Sequence, residues 1–195
     1  MLYVIMQLMK RRLFIAINLP SHLQEKIYKF SQTFFSGFPL RITKQENLHF
    51  TLIFLGQLDK TKETMVRKIV EEAIKDAKTF SVRLEGLDVF PNLRRPKILW
   101  IKTVDSALSS FHHLLYRKLA SQKFVLDERP FTAHLTIGRV KNKDRAIKET
   151  LPLILKEHGK DFFGEFEVKQ ADLMESILEA DGPCYKIIAS YKLNP

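Results

Sequence analysis

The sequence is poor in the residues that cross-link or punctuate a chain. It has one cysteine, Cys184, so no intrachain disulfide can form. That points to a reducing compartment, and a cytoplasmic location is expected. Cys184 lies in "PCYKIIASY", a strand-like stretch in which it is expected to be a small buried hydrophobe rather than a nucleophile. Seven glycines and eight prolines are scattered, so no linker or low-complexity segment divides the chain. The apolar run at residues 1–8 is far too short to cross a bilayer, and its charges follow rather than precede it. No membrane partner is therefore expected. There is no Gly-x-Gly-x-x-Gly and no P-loop, which argues against nucleotide-cofactor and NTPase chemistry. There is no cysteine cluster and no His-Glu-x-x-His, so neither a metal nor any other cofactor is expected. There is no Gly-x-Ser-x-Gly either.

What is present is an ordinary globular balance, 45% apolar and 28% charged, with enough length for a proper core. Fifteen phenylalanines against one tryptophan make that core Phe-rich. Lysine and arginine number 32 against 22 acidic residues, a net charge of +10. Such a surplus suits a polyanionic partner, but it suits a solvated Lys/Glu surface equally well. Met9 is a candidate second start, and residues 1–8 are expected to be an extension the fold does not need. Residues 9–195 are then one domain.

The pattern alternates strands and helices. "RRLFIAINL" reads as a strand, followed by a helix at about 21–35 with Leu23, Ile27, Phe30 and Phe34 on one face. "RITK" is a short strand, and 48–56 is a strand ended by Gly56. Residues 60–78 and 105–121 are amphipathic helices on either side of the strands "FSVRLEGLDVF" and "PKILWIKT". "RPFTAHLTIGRV" is a strand, and 143–158 a helix broken at Pro152, which fits best in the first turn of a new segment. Two or three strands close the chain. Strand pairs joined by short turns argue for α+β with antiparallel sheets, not a doubly wound parallel sheet. The order also reads as two similar halves, hence two lobes.

Two short stretches carry chemistry. "LHFTLIFLG" (48–56) and "AHLTIGRV" (133–140) each place His-x-Thr inside an apolar strand. Side chains alternate across a strand, so His49 and Thr51 share a face, opposite Phe50 and Leu52. His134 and Thr136 share a face in the same way. One such pair is more often a satisfied polar pair than a site; two by chance is on the order of a one-in-fifty coincidence. Side by side, the strands offer two imidazoles and two hydroxyls to one cleft. One imidazole can act as base and the other as acid, while the threonines donate to non-bridging oxygens of a phosphodiester. The remaining histidines are weaker. His112 and His113 are adjacent on a helix, point apart and read as helix surface for one or both; His22 and His158 lie near helix ends.

These paired motifs resemble those of the two-histidine (2H) phosphoesterases. Within that superfamily the chain is similar to the bacterial and archaeal RNA 2′,3′-cyclic phosphodiesterases, historically called 2′-5′ RNA ligases. "RRLFIAINLP", "RRPKILWIKT" and "ADLMESILEADGPCYKIIASY" resemble the family's first strand, its central proline-to-Trp strand and its closing hairpin. The resemblance implies a bilobal, LigT-like α+β fold with helices outside and a central cleft. It implies metal-independent hydrolysis of an RNA terminal 2′,3′-cyclic phosphate to a 2′-phosphomonoester. Nothing in the sequence demands a dimer, and a monomer is expected. By the same resemblance His49 is the proton donor, His134 the proton acceptor, and Thr51 and Thr136 hold the phosphate. Arg139 stands where many relatives have a phosphate-contacting arginine. A regular strand would turn it away from His134, and a bulge at Gly138 could re-aim it. For base stacking the candidates are Phe14, Phe54, Trp100 and Tyr185; core packing is expected for Phe14 and Phe54, and of the four Tyr185 is the one expected to reach the cleft. The alternatives are a 2′-5′ RNA ligase or phosphodiesterase using the same site, and a non-catalytic RNA-binding module.

Overall fold

The computed structural model describes residues 10–104, 106–141, 145–180 and 182–195, with backbone alone for 145–148. The expectation for residues 1–8 lies outside this range. Two antiparallel sheets form the two lobes. The first has the order β3-β1-β8-β9, with β1 at Arg11–Asn18, β3 at His49–Leu58, β8 at Gln170–Glu179 and β9 at Gly182–Lys192. The second has the order β2-β6-β5-β4-β7, with β2 at Leu40–Ile42, β4 at Phe80–Phe90, β5 at Ile98–Thr103, β6 at His134–Val140 and β7 at Phe162–Val168. The α+β, bilobal architecture expected from the sequence is the one observed, and each sheet contributes one His-x-Thr strand.

Among the described residues, four α-helices cover the sheets: α1 (Ser21–Phe34), α2 (Lys60–Ile74), α3 (Ala107–Ser121) and α4 (Arg145–His158). The turn before α2 shows why it starts where it does. Asp59 Oδ1 accepts from Lys62 N–H at 2.8 Å, satisfying a donor the first turn leaves free. Along α3, Leu108, Phe111, Leu115 and Leu119 recur at helical spacing and are all buried. That helix packs on both β3 and β4, so it joins the lobes. A single apolar cluster runs from Leu13, Ile15 and Ile17 in β1 to Leu99, Ile101, Leu135 and Ile137 in the second sheet.

Some boundaries differ from the sequence reading. β3 does not end at Gly56 but continues to Leu58, because Gly56 adopts a φ of 71° that lets the strand pass through an irregular register. The strand at "RPFTAHLTIGRV" begins only at His134. α4 is not broken at Pro152. Leu151 and Ile154 are buried and hold the helix to β4, while Pro152 faces solvent, where water can replace the missing amide bond. Cys184 lies in β9 but is only half-buried, since β9 is an edge strand.

Candidate active site

β3 and β6 belong to different sheets, yet they touch, and the cleft opens where they meet. His49, Thr51, His134, Thr136, Arg139 and Tyr185 all line one cavity of about 510 Å³ there. Its floor is β1, where Phe14, only 2% exposed, sits 5.2 Å from the His49 ring centroid.

Both imidazoles are fixed in the same way. His49 Nδ1 lies 2.8 Å from the Asn47 carbonyl, and His134 Nδ1 lies 2.7 Å from the Thr132 carbonyl. A carbonyl only accepts, so each Nδ1 carries a hydrogen and donates it. The reactive Nε2 of each neutral ring is then a lone pair. That of His49 accepts from the Thr51 hydroxyl at 3.0 Å. That of His134 has no hydrogen-bond partner among the described residues. Trp100, 8% exposed, meets the His134 ring edge-to-face at 5.9 Å. Tyr185 does the same for His49 at 5.0 Å and packs against Phe14 as well.

Burial pushes the His49 pKa down to about 4; the Asn47 hydrogen bond opposes this, and the nearby His134 and Arg139 charges reinforce it. The protein by itself therefore keeps His49 neutral near pH 7. Burial raises the Tyr185 phenol, with Arg139 and Arg12 opposing the rise.

Bulges set the rest of the site. In the β5–β6 register Leu99 faces Gly138 and Trp100 faces Thr136, so Ile137 is the extra residue. Its carbonyl is taken by Thr43 N–H at 2.9 Å. The extra residue reverses the alternation, and Arg139 reaches the same cleft as Thr136. β3 has a comparable slip at Leu52, since Ile53 faces Ile15 while Thr51 faces Ala16. Leu52 and Ile53 are both buried and Phe54 turns outward, 57% exposed, against the expectation that it packs in the core. Nothing in residue types marks such a slip. The carbonyls of Asn47 and Thr132 were also invisible to sequence reasoning, because every residue offers one. Arg12, Arg41 and Lys44, in the same cavity, show in the sequence only as part of a diffuse basic excess. Among the described residues no group of three His, Cys, Asp or Glu side chains is placed to hold a metal ion. Nor, among them, is any helix long and apolar enough to cross a membrane.

Solved structures share this architecture. A Thermus thermophilus protein superposes with a TM-score of 0.79 at 21% identity, covering 93% of this chain and 97% of its own. E. coli LigT complexed with 3′-AMP gives 0.77 at 22% identity, covering 96% and 100%. In sequence, residues 19–177 match the 2′-5′ RNA ligase superfamily, and the chain belongs to that family. Relatives named RNA 2′,3′-cyclic phosphodiesterase include one from Archaeoglobus fulgidus, 32% identical over 90% of this chain and 96% of its own. Another, from Methanocaldococcus jannaschii, is 34% identical over 92% and 99%.

Proposed function

We propose that this protein hydrolyses the 2′,3′-cyclic phosphate at an RNA end to a 2′-phosphomonoester, without a metal. The observation that carries the reading is the pair of imidazoles, each pinned through Nδ1–H to a carbonyl and each presenting Nε2 to one cleft that also holds two threonines. The names of the relatives support the substrate. His134, whose Nε2 is unpartnered among the described residues, takes a proton from water as the water oxygen bonds to phosphorus. The P–O3′ bond breaks, and His49 gives its proton to the departing 3′-oxygen. Thr51, Thr136 and Arg139 hold the non-bridging oxygens as their charge builds. His49 must first acquire a proton. The bound phosphate anion supplies the reason, because it stabilises the protonated ring against the burial and the Arg139 charge that otherwise keep it neutral. Tyr185 and Trp100 brace the two rings. All these groups come from one chain, so a monomer suffices.

The test is turnover of an oligonucleotide ending in a 2′,3′-cyclic phosphate, with EDTA present. Wild type is expected to yield a 2′-phosphate. His49→Ala and His134→Ala are each expected to lose about 10²–10⁴-fold in kcat. RNA binding without turnover in wild type would instead mark a binding module. The family's name keeps a second reading in view, with a 5′-hydroxyl replacing water; formation of a 2′-5′ linkage in the same assay would reveal it.

A further inference from the structure

The cleft has two arms. A second cavity of about 310 Å³ shares Thr51, Phe54, His134 and Arg139 with the first and extends away from them towards α3. The arms differ in chemistry. The larger carries Arg12, Arg41 and Lys44, none ion-paired among the described residues. The smaller is walled by Phe90, Trp100, Tyr116, Phe131 and the His112 ring. There Phe131 and His112 lie face to face, centroids 4.1 Å apart and planes 4° from parallel, and Phe90 is 51% exposed. Asp127 and Arg129, also in this arm, form an ion pair and neutralise each other.

The stereochemistry of the substrate matches this division. A 2′,3′-cyclic phosphate bridges one edge of the ribose. The base leaves from C1′ on one flank of that edge, and the 5′ chain leaves from C4′ on the other. With the phosphate on the two histidines and two threonines, base and backbone must depart in different directions. Aromatic walls suit a base, which has a π-face whatever its identity; unpaired cations suit a phosphodiester. We propose that the terminal nucleobase enters the aromatic arm beside His112 and Phe131, and that the next phosphate upstream lies in the basic arm on Arg12, Arg41 and Lys44. This rests on the functional reading above, and it makes the preferred substrate an oligonucleotide end rather than a free cyclic mononucleotide. It also takes the base away from Tyr185, whose ring is already engaged by His49 and Phe14.

Two measurements test it. The first compares kcat/KM for adenosine 2′,3′-cyclic phosphate with that for a short RNA carrying the same end. A double variant, Arg41→Ala with Lys44→Ala, is expected to lower the oligonucleotide-to-mononucleotide ratio about tenfold, and the wild-type ratio to fall as salt rises. Tyr116→Leu with Phe131→Leu is expected to lower both values together, on the order of tenfold, leaving the ratio in place. A basic-arm variant that lowers both values equally, or an aromatic-arm variant that lowers the ratio alone, overturns the assignment. The second uses wild type only, with a 2′-phosphate-ended tetranucleotide containing 2-aminopurine. Fluorescence is expected to change on binding when the probe is the terminal base. A change only at the penultimate base, or at neither, overturns the proposal. Wild type that binds the fluorescent RNA with the expected signal yet turns over neither cyclic phosphate overturns the hydrolase reading and leaves the two-arm placement standing.

Discussion

Burial moves His49 well out of the ordinary imidazole range. Its pKa in the folded protein, about 4, lies below the ordinary 6.5. Between those values the unfolded chain binds more protons, so stability rises with pH there. Equivalently, stability is intact above about pH 6.5 and falls as the pH drops towards 4, by roughly 1–3 kcal/mol. Urea unfolding at pH 7 and pH 4.5 checks this, and His49→Gln is expected to flatten the difference. The same residue shapes the rate. The alkaline limb of kcat/KM, which reports the proton donor in the protein without substrate, is expected to set in near pH 4, and that of kcat at higher pH, because the bound anion favours the protonated ring. Coincident limbs would count against proton loading by the substrate.

Elements show where the sequence could be read and where it could not. The face shared by His49 and Thr51, and by His134 and Thr136, follows from the two-residue period, and all four reach one cavity. Periodicity fails at Leu52 and Ile137, where one added residue reverses the alternation and sends Phe54 and Arg139 into the cleft. Such slips depend on partner strands far away in the chain, so no local pattern announces them. α4 fails differently. Proline marks a break by its own chemistry, but burial of Leu151 and Ile154 outweighs the loss of one hydrogen bond. Because Pro152 is exposed, Pro152→Ala removes no packing. It is expected to raise stability by about 1–3 kcal/mol in urea unfolding, with activity unchanged.

The cleft of the whole molecule lies between two sheets, so its shape depends on whether the lobes move as one. Three ties argue that they do. One apolar cluster includes residues of both sheets. α3 packs on β3 in the first sheet and β4 in the second. β3 of the first sheet also touches β6 of the second directly, where the cleft opens. Lobes joined only by a linker would unfold separately; lobes sharing a core cannot, because unfolding either exposes the apolar surface of the other. The single tryptophan, Trp100, sits in the second sheet and reports that lobe alone. Its fluorescence and the far-ultraviolet circular dichroism of the whole chain are therefore expected to follow one coincident transition in urea. Leu115, fully buried on α3, sharpens the test. Leu115→Ala is expected to cost about 2–5 kcal/mol and to move both probes together, since the cavity weakens the shared core rather than one sheet. If the tryptophan signal shifted while the dichroism kept a second, later transition, the lobes would be independent. The angle between His49 and His134 would then be set by substrate rather than by the fold.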